Sequence, residues 1–241
     1  NPIVIPTSIN RIDFKLFFSS LGKTEANCEW RAIKGKNVCR ITGKPDEKFD
    51  ELCKLNQSGF NIFVTINDTD GKDIKGANVR EVRALFADFD GTPLANLNRI
   101  PLEPSFTVNT SPNKHHAYWL VDDCPLEKFT TMQKQLAHIL ESDPAVCDLG
   151  RIMRVPGFYH LKSDPYLVTI ATEDEVKHYS YEDFSNSLPN SCNMPKGTSK
   201  YSLSIGCEEG SRNTTLTKLA GKLIYDCLPD TEAITRLKEW N

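Results

Sequence analysis

The sequence contains no uninterrupted apolar run approaching the roughly 18 residues that a membrane-spanning helix requires, so no segment reads as a span. It has no CxxC pair. Its eight cysteines, at positions 28, 39, 53, 124, 147, 192, 207 and 227, are scattered through apolar stretches, which disfavours a zinc knuckle and reads as buried thiols in a reducing compartment. It has no large charge of either sign, with 29 basic against 32 acidic residues and a net charge of -3. Attraction by the whole molecule therefore cannot draw it onto nucleic acid, and any such contact must use a local stripe. It shows no short-period repeat, and its first residues lack the basic-then-apolar order of a signal peptide. What is there is a chain of 241 residues, 39% hydrophobic and 25% charged, the composition of an ordinary globular protein rather than a disordered tail, a fibre or a coiled coil. The length suits one large domain, or one domain with an appendage. The chain begins without methionine and stops at Trp240-Asn241 inside a helical pattern, so it is expected to be a piece of a longer protein.

Hydrophobic spacing predicts a mixed α/β domain reaching to about residue 185. Phe49, Leu52, Cys53 and Asn56 stand at helical spacing before Gly59, and Phe60 to Ile66 reads as a strand. Trp30 to Ile33 and Val38 to Ile41 flank Lys34-Gly35-Lys36-Asn37 as a hairpin. Further strands are expected at Ala84 to Phe89, Ser105 to Val108, His115 to Val121 and Tyr166 to Thr172, with a helix from Phe129 through Leu140. From 186 to 209 the chain turns polar, rich in Ser, Asn and Pro, and reads as a linker. Leu216, Leu219, Leu223 and Ile234, Leu237 then mark a small helical C-terminal segment over 210–241.

The residues that carry chemistry fall in three blocks. In Leu85-Phe86-Ala87-Asp88-Phe89-Asp90-Gly91, strand alternation places Asp88 and Asp90 on one face. Two carboxylates held together on an apolar strand call for a cation, with a hard divalent ion the natural partner. Asp68-Thr69-Asp70-Gly71 repeats the spacing in a polar stretch and reads as an exposed turn. The second block, Ser111-Pro112-Asn113-Lys114-His115-His116-Ala117-Tyr118-Trp119, puts His116 and His115 on opposite strand faces and offers Lys114, His116 and Ser111 to an anionic ligand. The third runs from Asp143 through Asp148, Arg151 and Arg154 to Pro156-Gly157. There Asp148 and Arg151 stand three apart, as on a helical turn, with Arg154 one turn further. Leu149 to Ser163 carries Arg151, Arg154 and Lys162 without an acidic residue, a candidate stripe for nucleic acid.

Together, and in order from about Phe60 to Lys162, these blocks resemble the RepB-like primases of the archaeo-eukaryotic primase superfamily. The resemblance implies an α/β (α+β) fold, with a catalytic core like an RNA-recognition-motif sheet, an N-terminal α/β part and a following helical domain. It implies primer synthesis on single-stranded DNA from nucleoside triphosphates, NTP or dNTP, with two Mg²⁺ or Mn²⁺ ions held by Asp88, Asp90 and a third acidic residue. Asp148 is expected to be that residue rather than Asp143, because it stands beside Arg151 and Arg154, whereas Asp143, followed by Pro144, suits an exposed turn. Ser111, Lys114, His116, Arg151 and Arg154 would bind the nucleotide, and His160 and Lys162 would add contacts to nucleotide or template. The family pattern has an asparagine before that lysine, where this chain reads His160-Leu161-Lys162. A longer protein with a helicase, encoded by a phage, plasmid or integrated element and working in a prokaryotic cytoplasm, is the expected setting. Two other classes compete. Asp88-Phe89-Asp90-Gly91-Thr92 matches the nucleophile signature of haloacid-dehalogenase-like phosphatases, which opens the first strand of a parallel sheet. A non-catalytic single-strand-binding module would instead need exposed stacking aromatics and a basic groove.

Overall fold

Helix α1 (Arg11–Ser20) comes first among residues 8–172 and 175–188, which the computed structural model describes. The strand and helix patterns above leave it unassigned, although Phe14, Phe17, Phe18 and Leu21 carry helical spacing and all four are buried. Asn10 caps it, its side-chain oxygen accepting from the N–H groups of Ile12 at 3.0 Å and Asp13 at 3.1 Å.

A first antiparallel sheet follows. Strands β1 (Cys28–Lys34) and β2 (Asn37–Gly43) form the expected hairpin, with Trp30 opposite Ile41 and Ile33 opposite Val38. Helix α2 (Pro45–Gln57) ends before Gly59, and β3 (Asn61–Thr65) pairs with β1. The fourth strand comes from the third sequence block and revises its reading. Asp148 and Arg151 do close a turn, the Arg151 N–H donating to the Asp148 carbonyl at 3.1 Å. Arg154, however, lies on β9 (Ile152–Arg154), antiparallel to β3 and opposite Phe63. The free edge of β3 takes up the backbone groups that a helical turn would have used internally.

Strands β4 (Asp68–Thr69) and β5 (Val79–Glu81) pair in a small ribbon, so Asp68 is not the exposed turn residue expected. The buried Lys23 ammonium donates to the carbonyls of Thr65, Ile66 and Asn67 and needs a counter-charge. Asp68 supplies it at 2.9 Å and also holds Arg83 at 2.8 Å.

The second sheet is built on β8 (Lys114–Asp122), which pairs antiparallel with β6 (Ala84–Asp90) and with β7 (Phe106–Ser111). Helix α3 (Leu126–Leu140) packs on β6. Strands β10 (Tyr159–His160) and β11 (Tyr166–Leu167) pair with each other, and β12 (Thr169–Thr172) joins β7. The expected single strand from Tyr166 to Thr172 is thus broken at Val168, whose backbone bonds Gly157 and Phe158 instead. Strand β13 (His178–Ser180) runs parallel to the end of β8 and leads into α4 (Tyr181–Ser187). Because among the described residues β6 has only an antiparallel strand neighbour, the parallel-sheet setting of a haloacid-dehalogenase nucleophile is not met there.

Helix α1 joins the two sheets. Phe17 meets Phe106 and Tyr118 of the second sheet at ring distances of 5.8 and 5.9 Å, and Phe18 meets Trp30 of the first at 5.2 Å. Beneath it passes Val155-Pro156-Gly157. Gly157 has a φ of 93°, and a Cβ there would stand 2.4 Å from the Asn10 carbonyl oxygen, so this glycine serves the crossing of two backbones. Cys28, Cys39, Cys53, Cys124 and Cys147 are free thiols; burial pushes Cys28 and Cys124 up to about 11. Among the described residues no helix is long and apolar enough to cross a membrane. From residue 189 onward, the linker and helical segment read from the sequence lie outside the described residues.

Candidate active site

Strand β6 carries Asp88 and Asp90 on the face predicted from its alternation. Directly across the ladder stand His116 opposite Asp88 and Lys114 opposite Asp90, so antiparallel register brings the first two sequence blocks together residue by residue. Ser111 faces Lys114 across the hairpin. The turn between them, Pro112 followed by Asn113 at φ 61°, has the proline-then-left-handed order of a type II turn.

The charges at this face are unequal in their surroundings. Lys114 reaches Asp90 at 2.6 Å, both side chains being about half exposed, a pair that contributes little to stability and can open. Asp88 is only 27% exposed. Burial first, then the charges of Asp143 and Asp90, raise its carboxyl to about 6 against the opposing pull of Arg154 and Lys114. A cation brought to this carboxylate would offset both the burial and the repulsion.

His116 is buried, and that burial, followed by the nearby charge of Arg154, holds its pKa down at about 3. The ring is therefore neutral at pH 7, and its 3.8 Å approach to Asp88 is neither an ion pair nor a hydrogen bond. Its Nδ1 lies 3.1 Å from the Tyr118 hydroxyl. Of the two tautomers, the one in which Tyr118 donates to Nδ1 leaves the N–H on Nε2, directed toward the Asp88 carboxylate, and electrostatics favours it. His115 faces the other side, where its Nδ1–H donates to Asn109 Oδ1 at 2.7 Å. There it lines a recess of about 280 Å³ with Gly91, Thr92, Pro93, Leu94 and Asn113.

Arg154 arrives from β9. Its guanidinium is buried, stacks over Phe63 at 4.8 Å and donates to Asn61 Oδ1 at 2.8 Å. Among the described residues no carboxylate lies within ion-pair distance of it, although Asp88 is the charge that most favours its protonated form. Burial lowers its pKa to about 10, so it remains a cation at pH 7. His160 sits close by. Its Nδ1–H donates to the Thr110 carbonyl at 2.9 Å, leaving Nε2 as a bare acceptor that is buried without a partner. Burial and the charges of Arg154, Lys162 and Lys114 lower its pKa. Lys162 is exposed.

Of the two candidates for a third carboxylate, the structure sets Asp143 beside Asp88. Its N–H donates to the Asp88 carbonyl at 3.0 Å, and its charge is the strongest ionic influence on Asp88. Asp148 is instead a 60% exposed partner of Arg151 at 2.7 Å, and Arg151 also donates to the Ala145 carbonyl. The side-chain spacing that drew attention to Asp148 and Arg151 is satisfied within their own turn. Among the described residues no three His, Cys, Asp or Glu side chains form a ready-made metal cage. Sequence patterns missed Asn61, which orients Arg154, and Tyr118, which orients His116; a tyrosine two places after a strand histidine, and so on its face, was the one available signal.

Residues 72–191 match the model of the RepB DNA-primase N-terminal domain family. Among solved structures, the AEP domain of the primase-polymerase of cyanophage S-2L is similar with a TM-score of 0.65, at 22% identity over 76% of this chain and all of that one. Primase RepB′ is similar with a TM-score of 0.50, at 18% identity over 67% of this chain and 57% of that one. The catalytic domain of RepB′ in complex with initiator DNA gives 0.49, again at 18% identity, over 67% of this chain and 86% of its own. At these identities the likeness is one of fold, a mixed α/β architecture shared with AEP domains. No curated protein sequence matches the chain.

Proposed function

We propose that this chain, whose residues 72–191 match the RepB DNA-primase N-terminal domain family, is a RepB-like DNA primase of the archaeo-eukaryotic superfamily and synthesises primers on single-stranded DNA by metal-assisted nucleotidyl transfer. The observation that carries the reading is the meeting of Asp88 and Asp90, on one strand face, with a buried guanidinium, Arg154, that has no carboxylate in ion-pair range among the described residues. A buried charge left without a partner is costly. The phosphates of a nucleotide would supply that partner.

The donor set fits a divalent ion. Asp88 and Asp90 offer hard carboxylate oxygens, and burial first, then the charges of Asp143 and Asp90, raise the Asp88 pKa, so a cation at this carboxylate would be favourable. Magnesium is commonly held by one or two carboxylates together with substrate phosphates rather than by an all-protein cage, and Asp88 and Asp90 would supply those two carboxylates. Asp143, rather than Asp148, is the third acidic residue of this reading. Bound at this face, Mg²⁺ or Mn²⁺ would make the primer's 3′-hydroxyl more acidic and offset the charge of the departing pyrophosphate.

The chain's own groups would do the rest. Arg154, fixed by Asn61 and Phe63, presents a permanent cation to the triphosphate. Lys114, free to leave Asp90, adds a second, and His116 donates its Nε2–H to a phosphate oxygen. His160 offers an acceptor, which repels phosphate oxygens and would take a hydroxyl or N–H of the nucleotide. The 3′-hydroxyl would lose its proton to solvent and its oxygen would bond to the α-phosphorus as the bond from that phosphorus to the bridging oxygen breaks and pyrophosphate leaves. Template contact, to which exposed Lys162 contributes, would be chiefly electrostatic and salt-sensitive. Ser111 is placed at the same hairpin. A larger replication protein that includes a helicase is the setting in which such a domain would act.

Primer synthesis on single-stranded DNA, with NTPs or dNTPs and with Mg²⁺ or Mn²⁺, tests the proposal. A metal-dependent product ladder that disappears in Asp88→Asn is expected. Absence of any product from the wild-type chain under all four combinations would refute it.

A further inference from the structure

One buried polar side chain belongs to no part of this chemistry and still touches the strand that carries it. Gln133 lies on the inward face of α3 among Phe129, Met132, Leu136 and Leu140, and it is 0% exposed. Its Oε1 accepts from the Phe86 N–H at 3.2 Å, and its Nε2 donates to the Phe86 carbonyl and, at 3.0 Å, to the Val146 carbonyl. A carboxamide with all of these groups engaged is an unusual occupant for the apolar stripe of a helix.

The contacts fall where β6 is incomplete. On one edge β6 is laddered to β8. On the other it has no strand neighbour among the described residues, and the N–H and C=O of alternate residues point there. At Phe86 those two groups are taken by Gln133; at Asp88 the carbonyl is taken by the Asp143 N–H. Gln133 therefore stands in for a missing strand at the residue two before Asp88, and its third bond anchors Val146. The Val146 N–H donates in turn to the Asp143 carbonyl at 3.2 Å. One amide thus ties β6 to the segment bearing Asp143.

We infer that Gln133 is a positioning residue for the acidic site, setting the separation between the Asp88/Asp90 strand and the Asp143 segment. This rests on the nucleotidyl-transfer reading above. A clamp of this kind does not touch substrate; it acts through the carboxylates, and loss of comparable supporting contacts around metal ligands typically costs about 10- to 100-fold in affinity or activity.

The test compares Gln133→Met, which keeps the volume and removes the hydrogen bonds, with Leu136→Ala, a buried change on the same helix that makes none of these backbone contacts. The full chain is used. Melting temperature, the Mn²⁺ concentration for half-maximal incorporation, and nucleotide KM at saturating Mn²⁺ are measured for each. Gln133→Met should need about tenfold or more Mn²⁺ and recover most of its rate when Mn²⁺ is in excess, with KM little changed. Leu136→Ala should lose stability without raising its Mn²⁺ requirement. If Gln133→Met melts lower yet keeps the wild-type requirement, or if both variants shift it equally, Gln133 is merely structural and the inference is overturned. Should the methionine variant not fold, Gln133→Asn, which keeps the amide and shortens its reach, carries the same comparison. A wild-type chain without metal-dependent activity would instead count against the nucleotidyl-transfer reading itself.

Discussion

Replacing Asp88 by asparagine should abolish incorporation and, in the absence of metal, make the protein more stable. The carboxyl titrates at about 3.8 in an unfolded chain and at about 6 here. The folded state therefore binds the proton more tightly, and stability from this group falls as pH rises through that window, with the full cost present above about pH 6. A difference of roughly two pKa units corresponds to about 3 kcal/mol, an upper bound for the gain because the substitution also takes a counter-charge from Arg154. At roughly 2–4 °C per kcal/mol for a domain of this size, Asp88→Asn should melt above wild type at pH 7.5 in EDTA, by at most roughly 6–12 °C. The gap should shrink toward zero near pH 4, where wild-type Asp88 is itself largely protonated. Groups that do not interact with Asp88 contribute equally to both proteins and cancel in the difference; what remains is Asp88 and its coupling to Asp143, Asp90, Arg154 and Lys114. Adding Mn²⁺ should raise the wild type and not the variant, closing the gap from the other side. An Asp88→Asn protein less stable than wild type at pH 7.5, or a gap independent of pH, would show that Asp88 is already compensated in the fold and would remove the argument for a cation there.

Three further outcomes separate neighbouring residues. Asp143→Asn should abolish or severely reduce incorporation while Asp148→Asn, which breaks only an exposed pair with Arg151, stays near wild type in a primer-extension assay; the reverse order would return the third carboxylate to Asp148. His116→Ala should lose roughly 10- to 100-fold in kcat/KM, the usual worth of a hydrogen bond to a charged group, whereas His115→Ala on the opposite face should be mild, and equal losses would contradict the assignment of faces. Gly157→Ala should lower the melting temperature, since the backbone conformation alone costs roughly 1–3 kcal/mol and the added Cβ meets the Asn10 carbonyl at 2.4 Å; an unchanged melting curve would mean that the crossing under α1 is looser than it is drawn.

The sequence by itself determined what repeats every two or three to four residues. Alternation in Leu85 to Asp90 placed Asp88 and Asp90 on one face, and alternation in His115 to Val121 separated His116 from His115, because pleating allows a strand residue only two directions. The hairpin around Gly35 and the helix before Gly59 were legible for the same local reason. The spacing of Phe14, Phe17, Phe18 and Leu21 was equally local and marks α1 once the cap at Asn10 is read with it.

Tertiary structure decided which segments meet. Asp143 and Asp148 are five residues apart with the same side chain, and only the open edge of β6, which accepts the Asp143 N–H, selects between them. Arg154 sits at helical spacing from Arg151 and yet lies on a strand, because β3, some ninety residues earlier in the chain, offers an unpaired edge. The pKa of Asp88, the neutrality of His116 and the burial of Gln133 depend likewise on charges and walls brought from distant segments. Local sequence fixes the direction a side chain takes from its own backbone; the electrostatic work of putting it to use is set by low-dielectric surroundings that exist only after the sheets and α1 have packed.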